Sequence, residues 1–267
     1  YQDLKRIIAA LGGKARRITV IMPMLYEGRQ HRRTTRESMD CAMALQELVA
    51  MGVKNIVTFD AHDPRVNNAI PLDGFDNVQA AYQMIKALLK TVPDIKLNRD
   101  HTMIVSPDEG GMGRCIYYSS VLGLDLGMFY KRRNYSVVVN GRNPIEAHEF
   151  LGNDITGKDL ILVDDMISSG ESMLDIAAKL KEKGAGRIFI FSTFGLFVEG
   201  FEKFDQYYAD GKIDKIFTTN LIYQPQELLD REWYCSVNMS KYIALLVETL
   251  NYDNSISSLL DPVDRIK

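Results

Sequence analysis

The sequence has few cysteines and no pattern among them. Only Cys41, Cys115 and Cys235 are present, and no two form a Cys-x-x-Cys pair. That excludes a zinc ribbon or a disulfide frame and leaves reduced thiols, the usage expected of a cytoplasmic protein. No apolar run approaches the roughly 20 residues that a membrane helix needs, and no signal-type leader opens the residues given. Positive charge is not in excess: 32 Lys and Arg face 35 Asp and Glu, a net −3. That balance argues against nucleic acid or an anionic membrane as the main partner. No low-complexity segment interrupts the chain. What remains is 267 residues, 46% hydrophobic and 25% charged, with room for one large core or, on an alternating pattern, two modest ones.

Strand-length apolar runs alternate with helical stripes throughout, which implies parallel sheets with crossover helices. Strands are expected at residues 17–22, 55–59, 102–105, 124–130, 160–163, 187–192 and 215–218. Met39, Ala42, Leu45 and Val49 keep helical spacing, as do Val78, Tyr82, Ile85 and Leu89, and helices are also expected at 197–208 and 239–250. Residues 71–77 are polar and turn-rich. A boundary there gives a first lobe at 1–80 and a second at 81–250, followed by a tail at 251–267 that is a candidate to pack back on the first lobe. Leu4, Ile7, Ile8 and Leu11 are already at helical spacing and stop at Gly12-Gly13, and residue 1 is Tyr rather than Met. An N-terminal segment is therefore expected to precede this chain.

Chemistry concentrates where the expected strands end. Residues 160–163 are an unbroken apolar run ending in Asp164 and Asp165, and then Ser168, Ser169, Gly170, Glu171 and Ser172 lead into a stripe of Met173, Ile176, Ala177 and Leu180. A strand emptying through a small-residue loop into a helix aims backbone N–H groups and a helix N-terminus at one spot, which suits a phosphate. Paired acids beside it suit sugar hydroxyls or a divalent cation. Three other strand ends carry related groups. The loop at 24–33 holds Arg29, Gln30, His31, Arg32 and Arg33, and arginine's fork fits polyphosphate. Asp60-Ala61-His62-Asp63 suits a metal or phosphate. Ser106-Pro107-Asp108-Glu109-Gly110-Gly111 makes Asp108 either a helix cap or a ligand-facing acid. Lys131, Arg132 and Arg133 stand at the root of a long connection at 134–158, which has the character of a lid carrying positive charge.

The order of residues 160–172 resembles the phosphoribosyl-pyrophosphate loop of the phosphoribosyltransferase fold. With Arg29-Gln30, Asp60-Ala61-His62, Ser106 to Gly111 and Lys131-Arg132-Arg133 in order, nearly the whole chain resembles the ribose-phosphate pyrophosphokinase family. The resemblance implies an α/β protein of two phosphoribosyltransferase-like lobes, each a mainly parallel sheet flanked by helices. It implies ATP and ribose 5-phosphate as substrates, Mg²⁺ as cofactor, and a homo-oligomer with a shared active site. Asp164, Asp165 and residues 168–172 would hold ribose phosphate. Arg29, Gln30 and His62 would meet ATP, while Asp60, His62 and Asp108 would serve the metal. Lys131 and Arg133 would be catalytic. The sequence departs from the family pattern at His31, where an acid is usual, at Asp63-Pro64-Arg65, and at Gly170-Glu171, which is closer to nucleobase transferases. A segment that clasps adenine has no counterpart. The rivals are a nucleobase phosphoribosyltransferase and a non-catalytic regulatory relative that binds phosphoribosyl ligands.

Overall fold

The computed structural model describes the backbone of residues 1–133 and 145–261, with side chains described at 1–130 and 149–261. The chain divides into two compact units, Tyr1–Ala80 and Ala81–Lys267.

In the first unit the order is α1 (Gln2–Leu11), β1 (Ile18–Ile21), α2 (Asp40–Ala50), β2 (Val53–Phe59), a 3-10 turn (Pro64–Ala69) and β3 (Gly74–Val78). The three strands form one parallel sheet in the order β1-β2-β3. Strand β2 is central and buried from Ile56 to Phe59, as a parallel strand covered on both faces must be. Helix α2 buries Cys41, Ala44, Leu45 and Leu48, so the expected stripe shares only Leu45 with the true core face. Its other members, Met39, Ala42 and Val49, lie at the margin. Strand β3 occupies what reads as a turn-rich stretch. Gly74, Asp76 and Asn77 have poor strand propensity, and pairing overrides it: residues 74–78 are in register with β2, and Asn55 Nδ2 donates to Asp76 Oδ2 at 2.8 Å.

The second unit runs α3 (Ala81–Thr91), β4 (Thr102–Ser106), α4 (Met112–Leu122), β5 (Asp125–Arg133), β6 (Ile145–Leu151), β7 (Asp159–Ile167), α5 (Glu171–Glu182), β8 (Ile188–Gly195), α6 (Glu202–Ala209), β9 (Lys215–Thr219), α7 (Gln226–Leu229), β10 (Tyr234–Val237), α8 (Ser240–Asn251) and α9 (Ser257–Leu260). Its sheet has the order β10-β9-β8-β7-β4-β5-β6, parallel except for β6, which pairs antiparallel with β5. Strand β6 lies inside the stretch read as one long connection; residues 134–144 of that stretch fall outside the described residues. The core packs Leu160, Leu162, Ile188 and Ile190 of the sheet against Leu174, Ala177, Phe204 and Trp233. The described part of the tail stays with this unit, where Tyr242 Oη donates to Leu259 O at 2.7 Å.

Strand order reverses between β4 and β7. From β4 the chain builds outward to β5 and β6, and from β7 it builds the other way to β8, β9 and β10. The β4–β7 ladder stops at Val105 and Leu162, while β7 stays paired with β8 as far as Ile167 and Gly195. The C-terminal half of β7 thus lines a crevice at a topological switch point, where open α/β sheets bind ligands. It also means that Asp164 and Asp165 lie on β7 rather than beyond its end.

Candidate active site

The second unit builds its site on that crevice. Successive residues of a strand point to opposite faces, and accordingly Asp165 is buried while Asp164 is partly open. The backbone N–H of Asp165 donates to Asp164 Oδ1 at 2.9 Å. Arg114, in the first turn of α4, reaches both acids: Nη1 is 3.6 Å from Asp164 Oδ1, and Nη2 is 3.8 Å from Asp165 Oδ1. Its side chain is only 8% exposed. Burial first, and then the neighbouring Asp165, push the Asp164 carboxyl above the usual range, and Arg114 pulls it back. Helix α4 lies close over the gap, because Cys115 Sγ donates to Val163 O at 3.4 Å. Asp108 stands in the turn before that helix rather than at its N-cap, which is Gly111: Asp108 Oδ1 accepts from Gly111 N at 3.1 Å, and Ser106 Oγ donates to Asp108 O at 2.7 Å.

Beyond β7 the loop turns sharply into α5. Gly170 is the N-cap, at φ 82° and ψ −8°, and without a side chain it makes no capping hydrogen bond. Glu171 N has only a long bond to Ser169 Oγ, at 3.4 Å. The first turn of this twelve-residue helix is therefore left weakly capped, an arrangement suited to an anion. The loop backbone is anchored from the β8 side, with Leu196 N donating to Ile167 O at 2.8 Å and Val198 N to Ser168 O at 3.0 Å. Ser168 and Ser169 are partly exposed, and Glu171 and Ser172 fully so. Glu171 pairs with Lys203 of α6 at 3.6 Å.

The first unit presents its own strand-end cluster. Asp60, directly after β2, is buried, and its φ of 44° is unusual for a residue with a side chain. Such strain persists only where the surroundings impose it, and it gathers at functional sites. Here the imposing bonds are Asp60 N to Val78 O and Ala61 N to Asn77 Oδ1, both 2.8 Å. His62 is exposed, and its ring centroid lies 5.3 Å from that of His31. His31 Nε2 is 3.6 Å from Asp63 Oδ2. Asp63 caps the 3-10 turn and accepts from Arg65 Nε and Nη2, and this pairing draws its carboxyl down to about 2. Arg29, Gln30, Arg32 and Arg33 lie on the loop after β1, and all four are exposed.

Asp164 and Asp165 on the C-terminal half of β7 and residues 168–172 after it therefore lead in one run to the first turn of α5. Lys131 and Arg133 lie on β5, opposite His148 and Ile145 of β6, and their side chains are outside the described residues. Among the described residues, no three His, Cys, Asp or Glu side chains stand together as a ready-made metal cage. Sequence reading missed Arg114. Its available signal was an arginine in the first turn of a helix opened by Ser-Pro-Asp-x-Gly-Gly, on the strand next to the acids.

The N-terminal domain of ribose phosphate pyrophosphokinase matches residues 1–52, and the phosphoribosyl synthetase-associated domain matches residues 137–261. A ribose-phosphate pyrophosphokinase of Ureaplasma parvum is 30% identical over 210 residues, covering 78% of this chain and 60% of that protein. One from Vibrio cholerae is 27% identical over 255 residues, covering 92% and 74%. The chain thus spans about 60% of the length of one curated relative and about three quarters of the other. In fold it is similar to a phosphoribosylpyrophosphate synthetase from Mycobacterium smegmatis, with a TM-score of 0.77, 21% identity, and coverage of 95% of this chain and 78% of that one. No helix among the described residues is long and apolar enough to cross a membrane. Both family models fall in chain order, and the relatives that span most of the chain carry one name: the chain belongs to the ribose-phosphate pyrophosphokinase family.

Proposed function

We propose that this chain transfers the β,γ-diphosphate of ATP to the 1-hydroxyl of ribose 5-phosphate, giving phosphoribosyl pyrophosphate and AMP. The observation that carries the reading is the switch-point crevice, where Asp164 and Asp165 stand over Arg114 and the loop runs into the N-terminus of α5. The acids accept hydrogen bonds from the ribose 2′ and 3′ hydroxyls. Ser168, Ser169, Gly170, Glu171 and Ser172 wrap the 5-phosphate, whose charge the helix N-terminus favours. In the first unit Arg29 and Gln30 address the nucleotide phosphates, with His62 as a further contact.

The 1-hydroxyl oxygen attacks the β-phosphorus, the bond to the α-phosphate bridging oxygen breaks, and the hydroxyl proton is lost to solvent or an acceptor. Catalysis rests on alignment and charge neutralisation more than on covalent chemistry. Lys131 and Arg133 stabilise charge developing on the transferring group. The carboxylates of Asp60 in the first unit and of Asp108 in the second are each an oxygen donor of the kind Mg²⁺ takes, since one or two carboxylates suffice for a cation that otherwise keeps waters and phosphate oxygens, and His62 would add an imidazole contact. When bound, Mg²⁺ would neutralise phosphate charge. A homo-oligomer with a shared active site and a cytoplasmic location belong to the same proposal.

The test is incubation with ATP, Mg²⁺ and ribose 5-phosphate, following AMP. Stoichiometric AMP and phosphoribosyl pyrophosphate are expected. Consumption of phosphoribosyl pyrophosphate with a nucleobase instead would make the chain a nucleobase transferase. Ligand binding without turnover would make it a regulatory relative.

A further inference from the structure

Two adjacent carboxylates on one strand, one of them buried, repel each other and lose hydration, and both effects favour protonation. A protonated Asp164 or Asp165 could offer only part of its accepting capacity to a sugar diol. An opposite charge beside the pair draws that protonation back. Among the described residues the cation beside both acids is the Arg114 guanidinium, whose two terminal nitrogens lie 3.6 Å from Asp164 Oδ1 and 3.8 Å from Asp165 Oδ1. A planar fork can serve two acids at once in a way that a single amine cannot. At these distances the arginine acts mainly through its charge, because it sits just outside ordinary hydrogen-bond range.

We infer that Arg114 is a positioning residue for the ribose-phosphate site: its charge, set against both Asp164 and Asp165, favours their ionised forms and fixes their orientation without itself touching the sugar. The inference rests on reading this crevice as the ribose 5-phosphate site. On β7 the neighbouring charge of each acid is the other, and from α4 they meet Arg114, next to the Cys115 thiol, which is engaged with Val163 O and Val105 O. On β8, Ser192 and Phe194 are in register with Asp164 and Met166, and neither carries charge. Arg114 is thus the described cation that offsets the upward push on Asp164, and a buried arginine is retained only where its charge is answered.

The experiment titrates ribose 5-phosphate into the full chain by calorimetry between pH 6 and 10, for wild type, Arg114→Lys and Arg114→Met. Thermal unfolding is recorded alongside to confirm folding. The ligand's own phosphate titrates near pH 6 in every variant alike. Affinity is expected to fall on the acid side, with the midpoint of that limb displaced upward by about one pH unit in Arg114→Met, the low end of what an opposite charge at this range does to a carboxylate. A smaller upward displacement is expected in Arg114→Lys, whose single amine cannot face both acids at once. Raising the pH should restore affinity in both. A uniform loss of affinity with an unmoved limb, in whichever variant folds, overturns the inference and leaves Arg114 a packing residue. If Arg114→Met does not fold, the Lys variant decides by the same limb. Failure of wild type to bind ribose 5-phosphate would instead sink the functional reading.

Discussion

Gly170 is where the loop proposed to bind phosphate meets the core, and replacing it with alanine tests how the loop is held. The residue lies at φ 82°, in the left-handed region, so any side chain there costs roughly 1–2 kcal/mol. A Cβ would also stand 2.1 Å from Phe204 Cζ, with Cε1 at 2.9 Å and Cε2 at 3.0 Å. Phe204 cannot step aside cheaply. It is fully buried, stacked on Trp233 at 5.5 Å and set edge-on against Phe197 at 5.0 Å. Trp233 is itself fixed, its Nε1 donating to Asp205 Oδ1 at 2.6 Å. Overpacking a site of this kind costs about 1–3 kcal/mol. The two terms together give Gly170→Ala a loss of about 2–5 kcal/mol.

Gly157→Ala is the matched control, because Gly157 sits at φ 72° and a Cβ added to it would meet nothing within 4 Å. It carries the backbone cost alone, roughly 1–2 kcal/mol. Urea denaturation of the full chain should therefore rank the variants wild type, Gly157→Ala, Gly170→Ala, with the last two separated by the clash with Phe204. Ribose 5-phosphate titration should show affinity lost only in Gly170→Ala, by about tenfold or more if one charge-assisted hydrogen bond to phosphate is displaced. Equal midpoints for the two glycine variants would refute the reasoning that the aromatic cluster sets the loop.

Asp164→Asn should abolish ribose 5-phosphate binding while leaving the fold intact. Because the folded-state value of Asp164 is raised, wild type loses stability as pH climbs from the ordinary carboxylate range through neutrality, and the Asn variant should lack that part of the slope. Lys131→Ala should lower turnover far more than it weakens ribose 5-phosphate binding, by about 2.7–4 kcal/mol of barrier, and near-normal turnover would remove Lys131 from the catalytic set. Asp63, drawn from 3.8 down to about 2 by Arg65, contributes stability that is present above about pH 4 and lost as pH falls through about 2. Acid titration of unfolding midpoints should show that loss in wild type and not in Asp63→Asn.

The alternation that makes this an α/β protein was legible because strand and helix periods differ and the central strands are apolar throughout. Strand β8 is buried at every position and could hardly be missed. The elements that escaped are those whose sequence is dictated by neighbours. Strand β3 carries Gly74, Asp76 and Asn77 because β2 supplies its pairing, and β6 is an edge strand, which needs no continuous apolar run. Strand β10, Tyr234–Val237, is only four residues long and follows a short helix, so it gives no periodic signal of its own.

The site divides in the same way, along the line between local and non-local. Asp164, Asp165 and the loop through Ser172 are contiguous, so their chemistry could be read from order alone. The same order says nothing of what lets two acids coexist there. That answer lies far from Asp164 in the chain, on a helix that follows the neighbouring strand, and it reaches the pair only because β4 and β7 are adjacent at the point where strand order reverses. His31 and Asp63 make a similar case, since each reads as a departure from the family pattern when taken singly, yet in the fold they stand 3.6 Å apart. A histidine and a carboxylate this close can be coupled, so the two departures need not be independent. Exchanging the two by His31→Asp with Asp63→His should then be milder than either substitution alone, and a double-mutant cycle on unfolding free energy would show the coupling directly. Strictly additive effects would mean that the two departures are independent and that their proximity carries no energy.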